Sequence, residues 1–399
     1  MLFGMTIPAF RLSILALAVL AQLYLFFRAR RAIRSSRRSG RFKARTTRLV
    51  GAGIGLLFVV NAGLMFQPLA WLDPPAAARI GLLYPAAVWS LGSIFSALLL
   101  LIVQVAGALG RMAVRLFSGL TGRAAHAPVD PGRRRFLRVG VGGLAAVPIL
   151  LSGYGAAYAG KAYEVRQLDL PFGRRVRVVQ LTDIHSGIYM SREEMRRYAG
   201  QVNALRPDVF VLTGDYISNS MLFLPPCLEE MARVRARYGC FATLGNHEHW
   251  YGHLEELQAA FDRHGIPLLQ NSHRVIQTPE GPFAVAGIDD LRTGDPDLPA
   301  ALRGLAPGIP TILLSHRPEI FPRAAAGGVA LTLSGHYHGG QVQLRLPGGA
   351  ISLAHLRTPY PEGLYRINDS HLYVSRGVGT TFTPVRLNVP PEVTLLHLR

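Results

Sequence analysis

Residues 49–72 and 80–109 contain no charged side chain at all. Runs of this length constrain a fold strongly, because about 20 apolar helical residues suffice to cross the hydrocarbon core of a bilayer. Two weaker runs accompany them. Residues 12–27 are charge-free and are extended upstream by the apolar residues 1–10, with Arg11 able to snorkel. Residues 139–160 are uncharged but rich in Gly and Ala, with Pro148 interrupting the helix they would form. Three to four transmembrane helices are therefore expected within residues 1–160, ahead of a second region, 161–399. The composition agrees: 49% of residues are hydrophobic and 17% charged, which excludes a disordered chain.

The formal charge of +19 suggests nucleic acid until its distribution is considered. Up to Arg138 the chain carries 19 Lys+Arg and 2 Asp+Glu, whereas the remainder carries 24 and 22. The excess belongs to the apolar end, and no basic motif of a nucleic-acid-binding fold accompanies it. Residues 28–48 hold ten basic side chains and no acid, and residues 111–138 hold seven Arg and one Asp. The short stretch 73–79 between the middle spans is nearly neutral. The positive-inside rule places both basic loops in the cytoplasm and the Asp73 turn outside. If residues 139–160 also cross, everything after Lys161 is extracytoplasmic. Gly132-Arg133-Arg134-Arg135-Phe136-Leu137-Arg138 resembles a twin-arginine export signal, and Ala157-Tyr158-Ala159 a signal-peptidase site. An ordinary basic flank of a membrane anchor reads equally well.

From about Lys161 the texture changes. Residues 176–182, 208–213, 240–244, 283–288, 311–315 and 329–334 are short apolar runs with the length of strands. Residues 192–205, 227–238, 254–264 and 317–326 read as helices or helical turns between them. This alternation predicts an α/β layered domain. Towards the end, 341–346, 371–375 and 393–398 read as strands with few helices between, which predicts mixed or antiparallel pairing. Cys227 and Cys240 imply no disulfide framework, and Cys240, heading a strand, is expected to be buried.

The polar residues cluster where these strands end. Asp183 and His185 follow the first, Gly214-Asp215 the second, and Gly245-Asn246-His247-Glu248 the third. His316 ends a fourth, and Gly335-His336-Tyr337-His338-Gly339-Gly340-Gln341 follows a fifth. Carboxyl ends of strands are where sites assemble in α/β sheets, so five distant segments can converge on one crevice. The i, i+2 spacing of Asp183/His185 and His336/His338 suits extended chain, with both side chains on one side. Four imidazoles, two carboxylates and one carboxamide form a nitrogen–oxygen set suited to Mn, Fe, Zn or similar ions. Seven ligands exceed one tetrahedral zinc and suit two metals sharing Asp215, an arrangement that can clamp a phosphoryl group during in-line displacement. A set of core histidines and strand-capping groups is the plain alternative, but so many buried unpaired polar groups would be costly.

The ordered set DxH, GD, GNHE, H and GHxHGGQ resembles the metallophosphoesterase (calcineurin-like phosphoesterase) superfamily, and its GHxHGGQ version resembles the membrane-associated bacterial branch. The likeness covers roughly residues 176–398, including Ser375-Arg376-Gly377-Val378-Gly379 and Pro390-Pro391-Glu392. It implies a sandwich of two mixed sheets with helices outside. It implies that Asp183, His185 and His338 hold one metal, that Asn246, His316 and His336 hold the other, and that Asp215 bridges. A hydroxide held by the metals would attack phosphorus, with His247 serving the leaving oxygen. One departure stands out. The acid that supports this histidine in much of the superfamily is here Ser218, with Glu248 the one conceivable substitute. Tyr337, at the variable position of GHxH, is expected to point away from the ligands. Arg386 is a candidate contact for substrate phosphate. His249, His253, His264, His273, His355, His371 and His397 read as surface, supporting or strand residues.

These readings predict a multi-pass membrane protein with an extracytoplasmic phosphoesterase domain. Its partners would be the lipid bilayer and a phosphoester at the membrane surface or in the envelope. The alternatives are a lipid-precursor pyrophosphatase of the UDP-diacylglucosamine type and a catalytically weak metal-binding membrane protein.

Overall fold

The computed structural model describes residues 7–65, 74–121, 131–159 and 162–399. The chain divides into two compact units: residues 2–66 with 80–154, and residues 67–79 with 155–399 and Met1.

The first unit is helical, with long helices at Ile7–Arg34, Gly40–Met65, Tyr84–Thr121 and Pro131–Ala159. Each is long and apolar enough to cross a membrane, over Arg11–Arg34, Gly40–Gly63, Arg79–Ser118 and Val139–Tyr158. Small residues let the last two approach closely, as helices do where no water drives packing. A Cβ on Gly92 would meet Ile149 Cα at 2.7 Å, and Ser96 Oγ donates to the carbonyl of Ala145 at 2.7 Å. Residues 28–48 are not one loop, as expected, but two helix ends around a short turn at 35–39. Straight-chain Arg and Lys lose little rotamer freedom in a helix, so the basic run does not stop it. The helix also runs through Pro148. Asp73 and residues 122–130 lie outside the described residues.

The second unit contains two mixed sheets. Its strands are β1 (Glu164–Leu170), β2 (Val176–Leu181), β3 (Val209–Thr213), β4 (Cys240–Thr243), β5 (Ser272–Ile276), β6 (Phe283–Gly287), β7 (Thr311–Leu314), β8 (Leu331–Ser334), β9 (Leu344–Leu346), β10 (Gly349–Ile351), β11 (Gly363–Ile367), β12 (Ser370–Val374) and β13 (Glu392–Leu398). One sheet runs β1-β13-β2-β3-β4 and the other β11-β12-β8-β7-β6-β5, while β9 and β10 pair only with each other. The central strands β2, β3 and β4 are parallel, as are β6, β7, β8 and β12. β13 pairs parallel with β1 and antiparallel with β2, so the predicted mixed pairing holds at the C-terminus.

Alternation along the strands builds two cores. Val178, Val209 and Val211 face the other sheet's Val285, Ile312, Leu314, Leu331 and Leu333. Val179, Leu181, Phe210 and Leu212 face helices through Met195, Val202, Leu228 and Phe261. Strands buried on both faces read as continuous apolar runs, which is why these were legible. Gln180 lies among them and links the sheets, donating to Thr213 Oγ1 at 2.9 Å and to the carbonyl of Ser334 at 3.0 Å. The helix Arg192–Ala204 starts at a capping box, Ser191 with Glu194, and buries Met195, Tyr198, Ala199 and Val202 at helical spacing.

Some boundaries differ from expectation. The helix expected over 227–238 is Leu224–Met231, because Asn203 holds the following segment as a turn through Arg233 and Arg235. The strand expected over 341–346 shortens to β9, since Gly339, Gly340 and Gln341 adopt left-handed backbone. Cys227 is buried and Cys240 half-buried, and both are free thiols.

Candidate metal centre

Parallel strands from both sheets deliver the motif residues to one place. β2 ends at Leu181, shortly before Asp183 and His185; β3 ends at Thr213, just before Gly214 and Asp215; β4 leads through Gly245 into a short helix, Asn246–Tyr251. From the other sheet, His316 follows β7 and Gly335-His336 follows β8. Asp183, His185, Asp215, Asn246, His316 and His338 are all at most 2% exposed.

Among the described residues three clusters form, each with its ligand atoms within 4.8 Å of one another: Asp183/His185/His338, His185/Asp215/His247 and Asp215/His316/His336. Asp215 Oδ2 lies 3.2 Å from His316 Nε2, 3.7 Å from His185 Nε2 and 3.9 Å from His247 Nε2. Asp183 Oδ1 lies 3.2 Å from His338 Nε2, which is 3.1 Å from His185 Nε2. His336 Nδ1 approaches His316 Nε2 at 3.2 Å. All the expected ligands but Asn246 thus meet within these clusters, and Asn246 Oδ1 is tied to His336 through a shared partner, Arg317.

The backbone that achieves this is not extended, as the spacing had suggested. Asp183, His185, Asp215, His336 and His338 all have φ between 50° and 75°. Each sits at a sharp turn off its strand, where left-handed backbone re-aims the side chain at an energetic cost that packing must offset. Tyr337 therefore owes its direction to a turn, and its hydroxyl donates to Glu319. The crowding also explains two glycines. A Cβ on Gly245 would collide with the Asp215 carboxylate, and one on Gly335 with that of Asp183.

Glu248 does not support His247. It is fully buried, and its carboxylate accepts the backbone N–H groups of Asp215 (2.9 Å), Tyr216 (2.8 Å) and Gly245 (2.9 Å), locking the two loops together. Ser218 supplies the support by its backbone. Its carbonyl lies 2.6 Å from His247 Nδ1, while its hydroxyl donates to the carbonyl of His185 at 2.8 Å. A carbonyl only accepts, so Nδ1 carries the proton and Nε2 faces Asp215. Trp250 lies over the His247 ring, centroids 4.8 Å apart.

The roles of Arg317, Asp290, Asp289 and Gln270 left no sign in the sequence. Arg317, 5% exposed, donates to Asn246 Oδ1 at 3.0 Å and to Asp290 Oδ2 at 2.8 Å, and its Nη1 faces His336 Nε2. Asp289 accepts from His249 at 2.5 Å and from Gln270 at 2.9 Å, so His249 fixes the short helix. Arg386 cannot meet substrate. It is wholly buried, spent on the carbonyls of Arg376, Gly377, Gly379 and Val389, with Nη2 3.3 Å from His338 Nδ1.

The electrostatics are those of a cation site. Burial alone would raise both carboxyls, but the neighbouring imidazoles win: His338 holds Asp183 down to about 2, and His316 with His247 holds Asp215 well below the carboxylate range. Burial pushes His185 and His336 well below the usual imidazole range, leaving neutral rings with lone pairs. Against burial, Asp215 raises His316 to about 10, so a proton stands where positive charge is favoured. Carboxylate oxygens, imidazole nitrogens and a carboxamide with no thiolate fit divalent ions, and the grouping of His/Asp clusters around Asp215 is consistent with a two-metal site.

Similarity to known proteins points the same way. A family model described as calcineurin-like phosphoesterase matches residues 176–340, which hold all seven expected ligands and His247. The chain is 30% identical over 280 residues to the uncharacterized metallophosphoesterase YkuE of Bacillus subtilis, covering 67% of this chain and 97% of that one. It is 31% identical over 309 residues to a transmembrane protein with metallophosphoesterase domain of Bos taurus, covering 72% of this chain and 68% of that one. It is also 33% identical over 203 residues to phosphodiesterase YaeI of Escherichia coli, covering 48% and 71%. With sequence likeness spread across nearly the whole of a relative and a buried His/Asp crevice at its centre, the chain belongs to the calcineurin-like metallophosphoesterase family.

Proposed function

We propose that this chain is a membrane-tethered phosphoesterase that uses two divalent ions, of the Mn, Fe or Zn type, to hydrolyse a phosphodiester, phosphomonoester or pyrophosphate. One observation carries the reading: Asp215 Oδ2 lies 3.7 Å from His185 of one expected ligand set and 3.2 Å from His316 of the other, where a carboxylate shared between two cations would stand. Asp183, His185 and His338 would hold one ion, Asn246, His316 and His336 the other, and Asp215 both. Ions bound there polarise phosphoryl oxygens and bring the pKa of water to near ~7. The protein's own groups do the rest. His247, fixed through Nδ1 by the Ser218 carbonyl, presents Nε2 to the site; only after taking a second proton there, from water, can it hand that proton to the leaving oxygen. Glu248 keeps the Asp215 and Gly245 loops in register. Arg317, anchored by Asp290, steadies Asn246 and His336.

Support for a diester comes from the similarity to phosphodiesterase YaeI. The test is turnover of bis(p-nitrophenyl) phosphate by the purified full chain with Mn, beside Asp215→Asn and His247→Ala. Turnover untouched by both substitutions would sink the assignment. Metal binding with no turnover of any phosphoester would leave a metal-binding membrane protein instead.

The same reading divides the chain into a membrane region, 1–160, and a phosphoesterase domain, 161–399. The charge distribution supports an extracytoplasmic domain, with both basic segments in the cytoplasm. An alkaline phosphatase fusion after Arg166 tests this. A fusion inactive there, beside a fluorescent one active in the cytoplasm, would overturn the topology and promote lipid-precursor pyrophosphate chemistry.

A further inference from the structure

Immediately after His338 the chain leaves both sheets and forms a small projection. β9 and β10 pair only with each other, Leu344 opposite Ile351 and Leu346 opposite Gly349. By alternation Leu344 and Leu346 share one face, and Ile351 joins them across the hairpin. These side chains are bare: Leu344 is 62% exposed, Leu346 46% and Ile351 52%. Just beyond, Leu353 (67%) precedes and Leu356 (78%) ends a single helical turn at Ala354–Leu356. Scattered exposed leucines are normal on a protein surface; five large ones within 13 residues are not.

The projection is anchored to the metal centre. Gln343 Nε2 donates to the carbonyl of Gly339 at 3.0 Å and to Glu362 Oε1 at 2.6 Å. Gly340 lies so close to Ser352 that a Cβ there would meet Ser352 Cβ at 2.5 Å. Gly339 and Gly340 directly follow His338, so a short, hydrogen-bonded connection joins the exposed leucines to a candidate metal ligand. Charge completes the pattern. Residues 340–361 contain Arg345, Arg357 and His355 and no acid, and both arginines are exposed. Apolar side chains interleaved with basic ones describe a surface that seats in the headgroup layer of an anionic bilayer. This chain also carries four helices long and apolar enough to cross such a bilayer.

We propose that the segment 342–357 docks on the membrane surface and that the substrate is a phosphoester borne by a lipid headgroup, delivered beside His338. This deepens the phosphoesterase reading above and rests on it. Docking brings lipid-borne phosphate to the crevice at the high local concentration of a surface, without requiring any soluble ligand pocket.

The test uses the full chain in nanodiscs of phosphatidylcholine with phosphatidylglycerol. It compares the wild type with a variant carrying Leu344→Ser, Leu346→Ser, Leu353→Ser and Leu356→Ser, all at exposed positions. A phosphatidylglycerol with a diazirine on its acyl chain reports contact, read by mass spectrometry of the labelled peptides. Two substrates report function: soluble bis(p-nitrophenyl) phosphate, and p-nitrophenyl phosphate esterified to diacylglycerol within the disc. We expect label on 342–357 in the wild type. In the variant we expect that label to be lost and the lipid-borne substrate to turn over about tenfold or more slowly, with the soluble substrate within about twofold. Label confined to the four apolar helices, or equal loss on both substrates, would each overturn the proposal. Absence of turnover on both substrates in the wild type, with the segment labelled, would instead remove the phosphoesterase reading and with it the substrate assignment.

Discussion

The two units of this protein put opposite kinds of side chain on opposite sides. The helical unit turns Leu12, Leu20, Val59 and Ile102 outward, each more than half exposed. The sandwich unit does the reverse: Asp183, Asp215, His316 and Arg317 are inside, with valines and leucines packed around them. Outward leucines are stable only if the solvent is apolar, and inward carboxylates only if something cationic meets them. The contrast suggests membrane association for one unit and is consistent with divalent ions at the His/Asp clusters of the other.

The contrast breaks most visibly at Asp215. Asp215→Asn keeps the size of the side chain but removes the shared charge, and turnover should fall by about 10²–10³-fold. Steady-state kinetics with Mn in excess checks this. His247→Ala should lower kcat by about 10²-fold at a nearly unchanged content of bound metal, because His247 is assigned to the leaving oxygen and not to a cation. A parallel loss of metal would move His247 into the ligand set.

Stability separates the units next. Phe283 is fully buried between the sheets, edge-on to Phe172 at 6.1 Å. Phe283→Ala should destabilise the sandwich by about 3–5 kcal/mol, measured by urea unfolding followed through Trp250 fluorescence. Leu20→Ala, outward on its helix, should shift the same curve by less than about 0.5 kcal/mol. Equal effects would mean that the outward face of the helical unit is packed after all.

A smaller effect concerns the link between Asp290 and the centre. Asp290→Asn leaves Arg317 without its carboxylate, 2.8 Å away, and loosens its hold on Asn246 and His336. Affinity for one of the two ions should fall by about 10–100-fold, as when the partners of metal ligands are altered. Calorimetric titration with Mn should show one tight and one weakened phase.

These residues also show what a sequence can and cannot convey. The motif residues were legible because each follows a strand buried on both faces, whose apolar run announces itself. β1 and β5 were missed because they are partly exposed and carry charges, Glu164, Arg166 and Asp169 in one and Arg274 in the other. Arg317 has no periodic or motif signal beyond lying next to His316. The support for His247 escaped for another reason: it is a backbone carbonyl, and any residue at position 218 could offer one. Spacing misled at Asp183 and His185, since i, i+2 does not reveal that both turn left-handed. Arg386 looked like a phosphate contact because burial, which removes it from the crevice, is not written in Pro384-Val385-Arg386.

Metal counting with magnetic resonance reads out whether Asp215 joins two cations. The full chain, stripped with chelator and reloaded with Mn(II), should bind two ions per chain and give the spectrum of a spin-coupled pair. Asp215→Asn should lose the coupling. A single uncoupled ion per chain at saturation, or a wild-type spectrum unchanged by Asp215→Asn, would contradict the account.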